Sequence, residues 1–160
     1  MPFLIDGNNL IGHIPDLRLD DPESRHRLAA WLRIFQKIRR MKILLVFDGP
    51  PDLDLIGGPY SQKKFRVFFP GPGEKADGII QDLISQQTDK RRFFVVTSDR
   101  EIQSFARDNR AKVMTCDEFH RMMKQAMKAY RSSKRLKKPE HTLSPLEVEH
   151  WLGLFSSDEA

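Results

Sequence analysis

The 160-residue chain has one cysteine, two tryptophans and two tyrosines, and its apolar runs are all short. A lone Cys116 excludes an internal disulfide framework, and a membrane-crossing helix would need roughly 18 consecutive apolar residues. The opening Met1-Pro2-Phe3-Leu4-Ile5 lacks the basic start and long apolar stretch of a secretory leader. With one cysteine and scattered histidines there is no zinc pattern. The chain therefore reads as a soluble, cytoplasmic protein with one main core. Acids are missing from one long stretch. Arg121, Lys124, Lys128, Arg131, Lys134, Arg135, Lys137 and Lys138 follow one another with no Asp or Glu between them, in a chain of net charge +5. Such a stretch favours a polyanion, although a solvated helix face has the same composition.

Three short apolar runs each lead to an aspartate: Phe3-Leu4-Ile5 to Asp6, Ile43 to Phe47 to Asp48, and Phe93 to Val96 to Asp99 through Thr97-Ser98. Runs of this length without alternation suit strands buried on both faces of a parallel sheet. The ligand crevice of such a sheet lies outside the strands' carboxyl ends, so the three acids are expected to converge there. Further strands are expected near 66–69 and 112–115. Between them, helical spacing marks 22–40 (Leu28, Trp31, Leu32, Phe35, Ile38), a helix from about Glu74 (Ala76, Ile79, Ile80, Leu83, Ile84), and one with Phe119, Met122, Met123, Ala126, Met127 and Tyr130 on one face. Ser98 with Glu101 reads as a capping box opening another helix. Strand and helix in alternation predict an α/β fold with a mostly parallel sheet of about five strands.

Residues 1–131 form the expected main domain, and 132–143 read as a flexible basic linker. Residues 144–155 read as a short amphipathic helix opened by Ser144-Pro145-Leu146-Glu147, with Leu146, Trp151, Leu152 and Phe155 as apolar surface. That helix is expected to dock on its own domain, on a second copy or on a partner, so a homo-oligomer through it stays open.

Asp6 begins Asp6-Gly7-Asn8-Asn9 and Asp48 begins Asp48-Gly49-Pro50-Pro51, both read as sharp turns. Asp77 falls in the first turn of its helix, at the edge of the apolar stripe. Singly, each acid fits ordinary turn, cap or helix-dipole chemistry. Together, clustered carboxylates repel one another unless a cation compensates, and carboxylate and amide oxygens suit Mg²⁺ or Mn²⁺.

Leu4-Ile5-Asp6-Gly7-Asn8-Asn9, Val46-Phe47-Asp48-Gly49, Glu74-Lys75-Ala76-Asp77 and Val96-Thr97-Ser98-Asp99-Arg100-Glu101 together resemble the YacP-like branch of the NYN domains, within the PIN-like nucleases. The likeness spans about residues 3–120. It implies a three-layer α/β/α PIN-like fold and a metal-dependent endoribonuclease, with RNA decay or processing as its setting. Carried over by position, Asp6, Asp48, Asp77 and Asp99 would be the catalytic and metal-binding acids, with Asn8 and Ser98 as supporting polar groups. Asp6 and Asp99 would be direct ligands, Asp77 a ligand directly or through water, and Asp48 a ligand or a support. Gly78 stands where many relatives have an acid or hydroxyl, and Glu101 where a second aspartate is commoner, which leaves the number of metal ions open. The expected partner is single-stranded RNA, with association with ribosomes an option and no membrane. Its phosphates would meet Lys63, Lys64, Arg66, Arg100, Arg121, Lys124, Lys128, Arg131, Lys134 and Arg135. A non-catalytic RNA- or ribosome-binding module of the same fold is the alternative.

Overall fold

The structure, a computed structural model, describes residues 1–136. Its six strands are β1 (Pro2–Asp6), β2 (Lys42–Val46), β3 (Ser61–Gln62), β4 (Phe65–Phe68), β5 (Phe94–Val96) and β6 (Lys112–Met114), in the order β3-β4-β2-β1-β5-β6. Every neighbouring pair is parallel except β3 with β4. The helices are α1 (Gly7–Ile11), α2 (Glu23–Arg39), α3 (Ala76–Ser85), α4 (Arg100–Asp108) and α5 (Cys116–Leu136).

Two cores account for the unbroken apolar runs. Phe3, Ile5, Ile43, Leu45 and Phe47 face one way, onto Leu10 of α1, Leu28, Trp31, Leu32 and Phe35 of α2, and Phe119, Met123 and Met127 of α5. Leu4, Leu44, Val46 and Val95 face the other, onto Ile80 and Ile84 of α3 and Ile102 and Ala106 of α4. With helices on both faces, the central strands are apolar at their successive buried positions, and the result is a three-layer α/β/α sandwich.

The chain builds outward from β1 through β2 to β4, and α3 then carries it back to β5 on the other side of β1. The strand order reverses between β1 and β5, and a parallel sheet opens a crevice at such a point.

Several local expectations differ from what forms. The sixth strand, β3, is two exposed residues pairing as a hairpin with β4, too short and too polar to leave an apolar signal. Glu74 is outside α3, in a turn where its carboxylate accepts the Gly71 N–H at 3.2 Å. α4 is capped by Asp99, whose Oδ1 accepts the N–H groups of Glu101 and Ile102, rather than by Ser98. α5 runs to Leu136, so residues 132–136 of the expected linker are helical. Residues 137–143 and the expected 144–155 helix lie outside the described residues.

The segment after Asp6 is also helical, and α1 starts directly at Gly7. Gly7 is needed for close approach: a Cβ there would sit 2.6 Å from Phe47 Cδ1 and 2.8 Å from the Val46 carbonyl oxygen. Neither the ring, locked in the core, nor the strand backbone can yield cheaply. Gly7→Ala is therefore expected to lower stability by about 1–3 kcal/mol in chemical denaturation, and an unchanged midpoint would show that β1 and β2 are not held this tightly.

Candidate functional site

Two neighbouring asparagines tie three strand exits together. Asn8 Oδ1 accepts the Asp48 backbone N–H at 3.0 Å, joining the end of β1 to the end of β2. Asn9 Oδ1 accepts the Ser98 N–H at 2.7 Å and the Cys116 thiol at 3.1 Å, joining β1 to the exit of β5 and the start of α5. Ser98 Oγ completes that side by accepting the Cys116 N–H at 3.2 Å. Helical geometry right after β1 points these adjacent side chains in different directions, which a simple turn would not guarantee.

Each aspartate is placed by its own contacts. Asp6 ends β1 and accepts the hydroxyl of the fully buried Thr97 at 3.0 Å, while Thr97 Oγ1 accepts the Asp99 N–H at 3.1 Å. Both capping bonds of Asp99 use Oδ1. Asp48 Oδ1 accepts the N–H of Gly49 at 3.1 Å and of Ala76 at 3.4 Å, bringing it to the start of α3, where Asp77 is the second residue. From α2, Arg25 donates to the Asp48 and Pro50 carbonyls, and its guanidinium lies 5.7 Å from the Phe47 ring centre and 5.9 Å from that of Phe69. The left-handed Gly49, φ +86°, lets the chain turn under that arginine.

Asp6 is 8 % exposed. Burial pushes its carboxyl up to about 6, against the lowering effect of the Thr97 hydroxyl and the Asn9 N–H, and the charges of Asp77 and Asp99 raise it further. The three carboxylates thus share one electrostatic environment. Among the described residues none of Asp6, Asp48, Asp77 and Asp99 is ion-paired with Lys, Arg or His. A buried acid facing two others without a cationic side chain fits a hard, oxygen-seeking divalent ion. The nearby thiol of Cys116 is pushed up to about 12, chiefly by burial, so it stays neutral and is no nucleophile.

A second group of potential ligands escaped the reading of the sequence. His26, Asp52 and Asp54 bring ligand atoms within 4.8 Å of one another, forming a possible metal-binding cluster. His26 Nε2 is 2.6 Å from Asp52 Oδ2, and Asp52 Oδ1 accepts the Asp54 N–H at 3.0 Å. Asp52 shares with Asn8 and Arg25 the lining of a cavity of about 260 Å³, so this cluster borders the β2 exit. Asp52-x-Asp54 was visible as a pair, but only the packing of α2 supplies the histidine.

The basic residues do not all gather at the acids. Arg100 opens α4 next to Asp99 and is exposed. Lys63 and Lys64 turn β3 into β4 at the amino end of β4, and Arg66 follows within that strand, its guanidinium 5.5 Å from the Phe68 ring centre. On α5, Phe119 is already 5.9 Å from Phe3 near the start of β1, so the helix leads away from the acids along Arg121, Lys124, Lys128 and Arg131. Lys134 and Arg135 continue that helix.

The strained acid makes a signed prediction for stability. Asp6 favours folding fully below pH 3.8, and that contribution is lost as pH rises through about 6, a loss of about 3 kcal/mol. In metal-free buffer at pH 8, Asp6→Asn is expected to be more stable than wild type by up to that amount, with the gap closing toward pH 4. Equal stability at pH 8 would mean that the ionised carboxylate is already compensated.

A family model for the YacP-like NYN domain matches residues 3–154. Two crystal structures of Rae1 (YacP) from Bacillus subtilis resemble the chain across 99 % of its length. One, a tryptophan-to-leucine mutant, has 22 % identity, 95 % coverage of its own chain and a TM-score of 0.71. The other has 23 % identity, 88 % coverage and a TM-score of 0.69. No curated protein matches. The fold is the PIN-like fold of those structures, with a six-stranded, mostly parallel sheet flanked by helices. From the order of its motifs, its fold and the near full-length match, the chain belongs to the YacP-like NYN domain family of PIN-like nucleases.

Proposed function

We propose that the protein is a divalent-metal-dependent endoribonuclease that hydrolyses phosphodiester bonds of single-stranded RNA at the carboxyl edge of its sheet. The observation that carries this reading is the buried Asp6 carboxylate, facing the charges of Asp77 and Asp99 with no cationic side chain among the described residues paired to any of them. Asp6 and Asp99 would hold Mg²⁺ or Mn²⁺ directly, Asp77 directly or through water, and Asp48 as a ligand or a support. Held by these carboxylates, such an ion would supply a water of lowered pKa and offset negative charge on the scissile phosphate.

The chain's own residues do the positioning. Thr97 fixes the Asp6 carboxylate and the Asp99 backbone with a single hydroxyl. Asn8 holds the Asp48 backbone, and Asn9 holds Ser98. Asp99, with Oδ1 bound to the start of α4, is oriented before any ligand arrives. Arg100 stands beside the acids as a phosphate contact. From Asp48 a cavity of about 430 Å³ extends between the two Pro/Gly loops, past Pro50, Pro70, Pro72 and Glu74. Its size lies within the ~300–1,000 Å³ of small-ligand sites, enough for a nucleotide flanking the cut, and its proline rings offer flat carbon surfaces to a base.

Wild type is expected to cleave single-stranded RNA internally in Mg²⁺ or Mn²⁺ and to stop when the ion is chelated. Asp6→Asn and Asp99→Asn are each expected to slow cleavage at least about 100-fold. Equal cleavage by wild type and Asp6→Asn would overturn the site. No cleavage by wild type across varied RNAs, ribosome-bound RNA included, would turn the reading toward a binding module.

A further inference from the structure

Because β1, β2, β4, β5 and β6 run parallel, all their amino ends share one edge of the sheet, opposite the acids. That edge is basic, although its residues come from four separate stretches of sequence. Arg39 and Arg40 end α2, and Lys42 opens β2. Lys63 and Lys64 turn β3 into β4. Lys90, Arg91 and Arg92 form the 3₁₀ turn entering β5, and Arg110 and Lys112 join α4 to β6. All are exposed except the half-buried Lys90, which donates to Asn109 Oδ1 at 3.3 Å. In the same stretches the acids are Asp89, 3.8 Å from Arg92, and Asp108. Adjacent strands lie about 4.8 Å apart, so the row from β4 to β6 spans roughly 20 Å.

Two of these arginines occupy a backbone conformation that disfavours them. Arg40 has φ +53° and Arg110 φ +63°, the left-handed position just after α2 and α4 where glycine or asparagine usually stands. Complementing a helix dipole asks for a cation near the last turn, which Arg39 and Arg107 already provide, and does not ask for one at the strained residue.

The character of the edge narrows its partner. Among the described residues the large exposed hydrophobics are Met1, Leu19, Leu53 and Ile56, of which Met1 alone lies here. A membrane surface would call for more apolar residues to insert. Among the described residues no aromatic ring at this edge is exposed, so these residues offer unpaired bases nothing to stack on. A helical RNA turns its bases inward and presents phosphates, which is what a row of lysines and arginines contacts.

We propose that the amino-end edge of the sheet is a docking surface for the phosphate backbone of double-helical RNA, separate from the acidic crevice. It does not depend on cleavage. The test uses a duplex of about 16 base pairs and the double variant Arg40→Gly/Arg110→Gly, with Lys63→Gln/Lys64→Gln as a second variant. The glycine variant is expected to keep or raise its melting temperature, because glycine relaxes both left-handed residues. Its duplex affinity is expected to fall about 10-fold, with the salt dependence less steep by about 0.9 for each phosphate no longer neutralised. Cleavage of a short single-stranded RNA by Arg40→Gly/Arg110→Gly is expected to be unchanged, and Asp6→Asn is expected to retain duplex affinity, so failure of the cleavage reading and failure of this one are separable. Unaltered duplex affinity in both variants, no duplex binding by wild type, or binding to phosphatidylserine vesicles in place of the duplex would overturn the proposal.

Discussion

Two adjacent side-chain amides hold this molecule's working edge in shape. Asn8 and Asn9 sit in the first turn after the central strand, and their carbonyl oxygens accept backbone N–H groups from the exits of β2 and β5. Those exits carry Asp48 and Asp99, and Asp6 stands just before the pair. Hydrogen bonds of this kind contribute only about 1 kcal/mol each, and leaving the part-buried Ser98 N–H without a partner would cost more than leaving the exposed Asp48 N–H to water, so Asn9 is the firmer of the two ties. The sheet brings the exits near one another, and the asparagines set how near. Gly7 is part of the same device, because only a residue without a side chain lets α1 start against Phe47 and Val46.

The acids that this frame assembles work against folding. Asp6 is buried beside Asp77 and Asp99 with its ionised form disfavoured, and no lysine, arginine or histidine pairs with it among the described residues. Strain of this sort at a strand-end crevice is what preorganised sites carry, compensated by well-packed cores on both faces of the sheet. The same parallel topology that gathers acids at one edge gathers lysines and arginines at the other. The molecule is therefore charge-polarised along its strands, and the basic excess is a property of position as much as of composition.

How much of this could be read from the sequence depended on the range of the interaction. The apolar runs at Phe3, Ile43 and Phe93 marked strands because burial on both faces leaves no polar position. The aspartates after them marked the crevice because a parallel sheet puts strand ends together. Gly7 was read as a turn because Asp-Gly is common turn chemistry, whereas its real constraint comes from Phe47, forty residues away. Asp99 shows the limit differently: it caps α4, as the local reading of that residue allows, while its charge also bears on the buried Asp6, a link that only the fold makes. β3 left no trace because it is short and exposed. The His26 group was hidden because only tertiary packing makes its members neighbours, whereas Lys63 and Lys64 of the basic edge were legible as phosphate contacts and only their alignment with Arg40 and Arg110 was not.

Two groups of side chains offer oxygen or nitrogen ligands that could hold a divalent ion, the aspartate crevice and the His26, Asp52 and Asp54 group. The most direct measurement is calorimetric titration of Mn²⁺ into wild type, Asp6→Asn and His26→Ala at one pH. The ion bound by wild type is expected to be lost in Asp6→Asn and retained in His26→Ala. Retention in Asp6→Asn with loss in His26→Ala would place the metal outside the crevice and contradict the account.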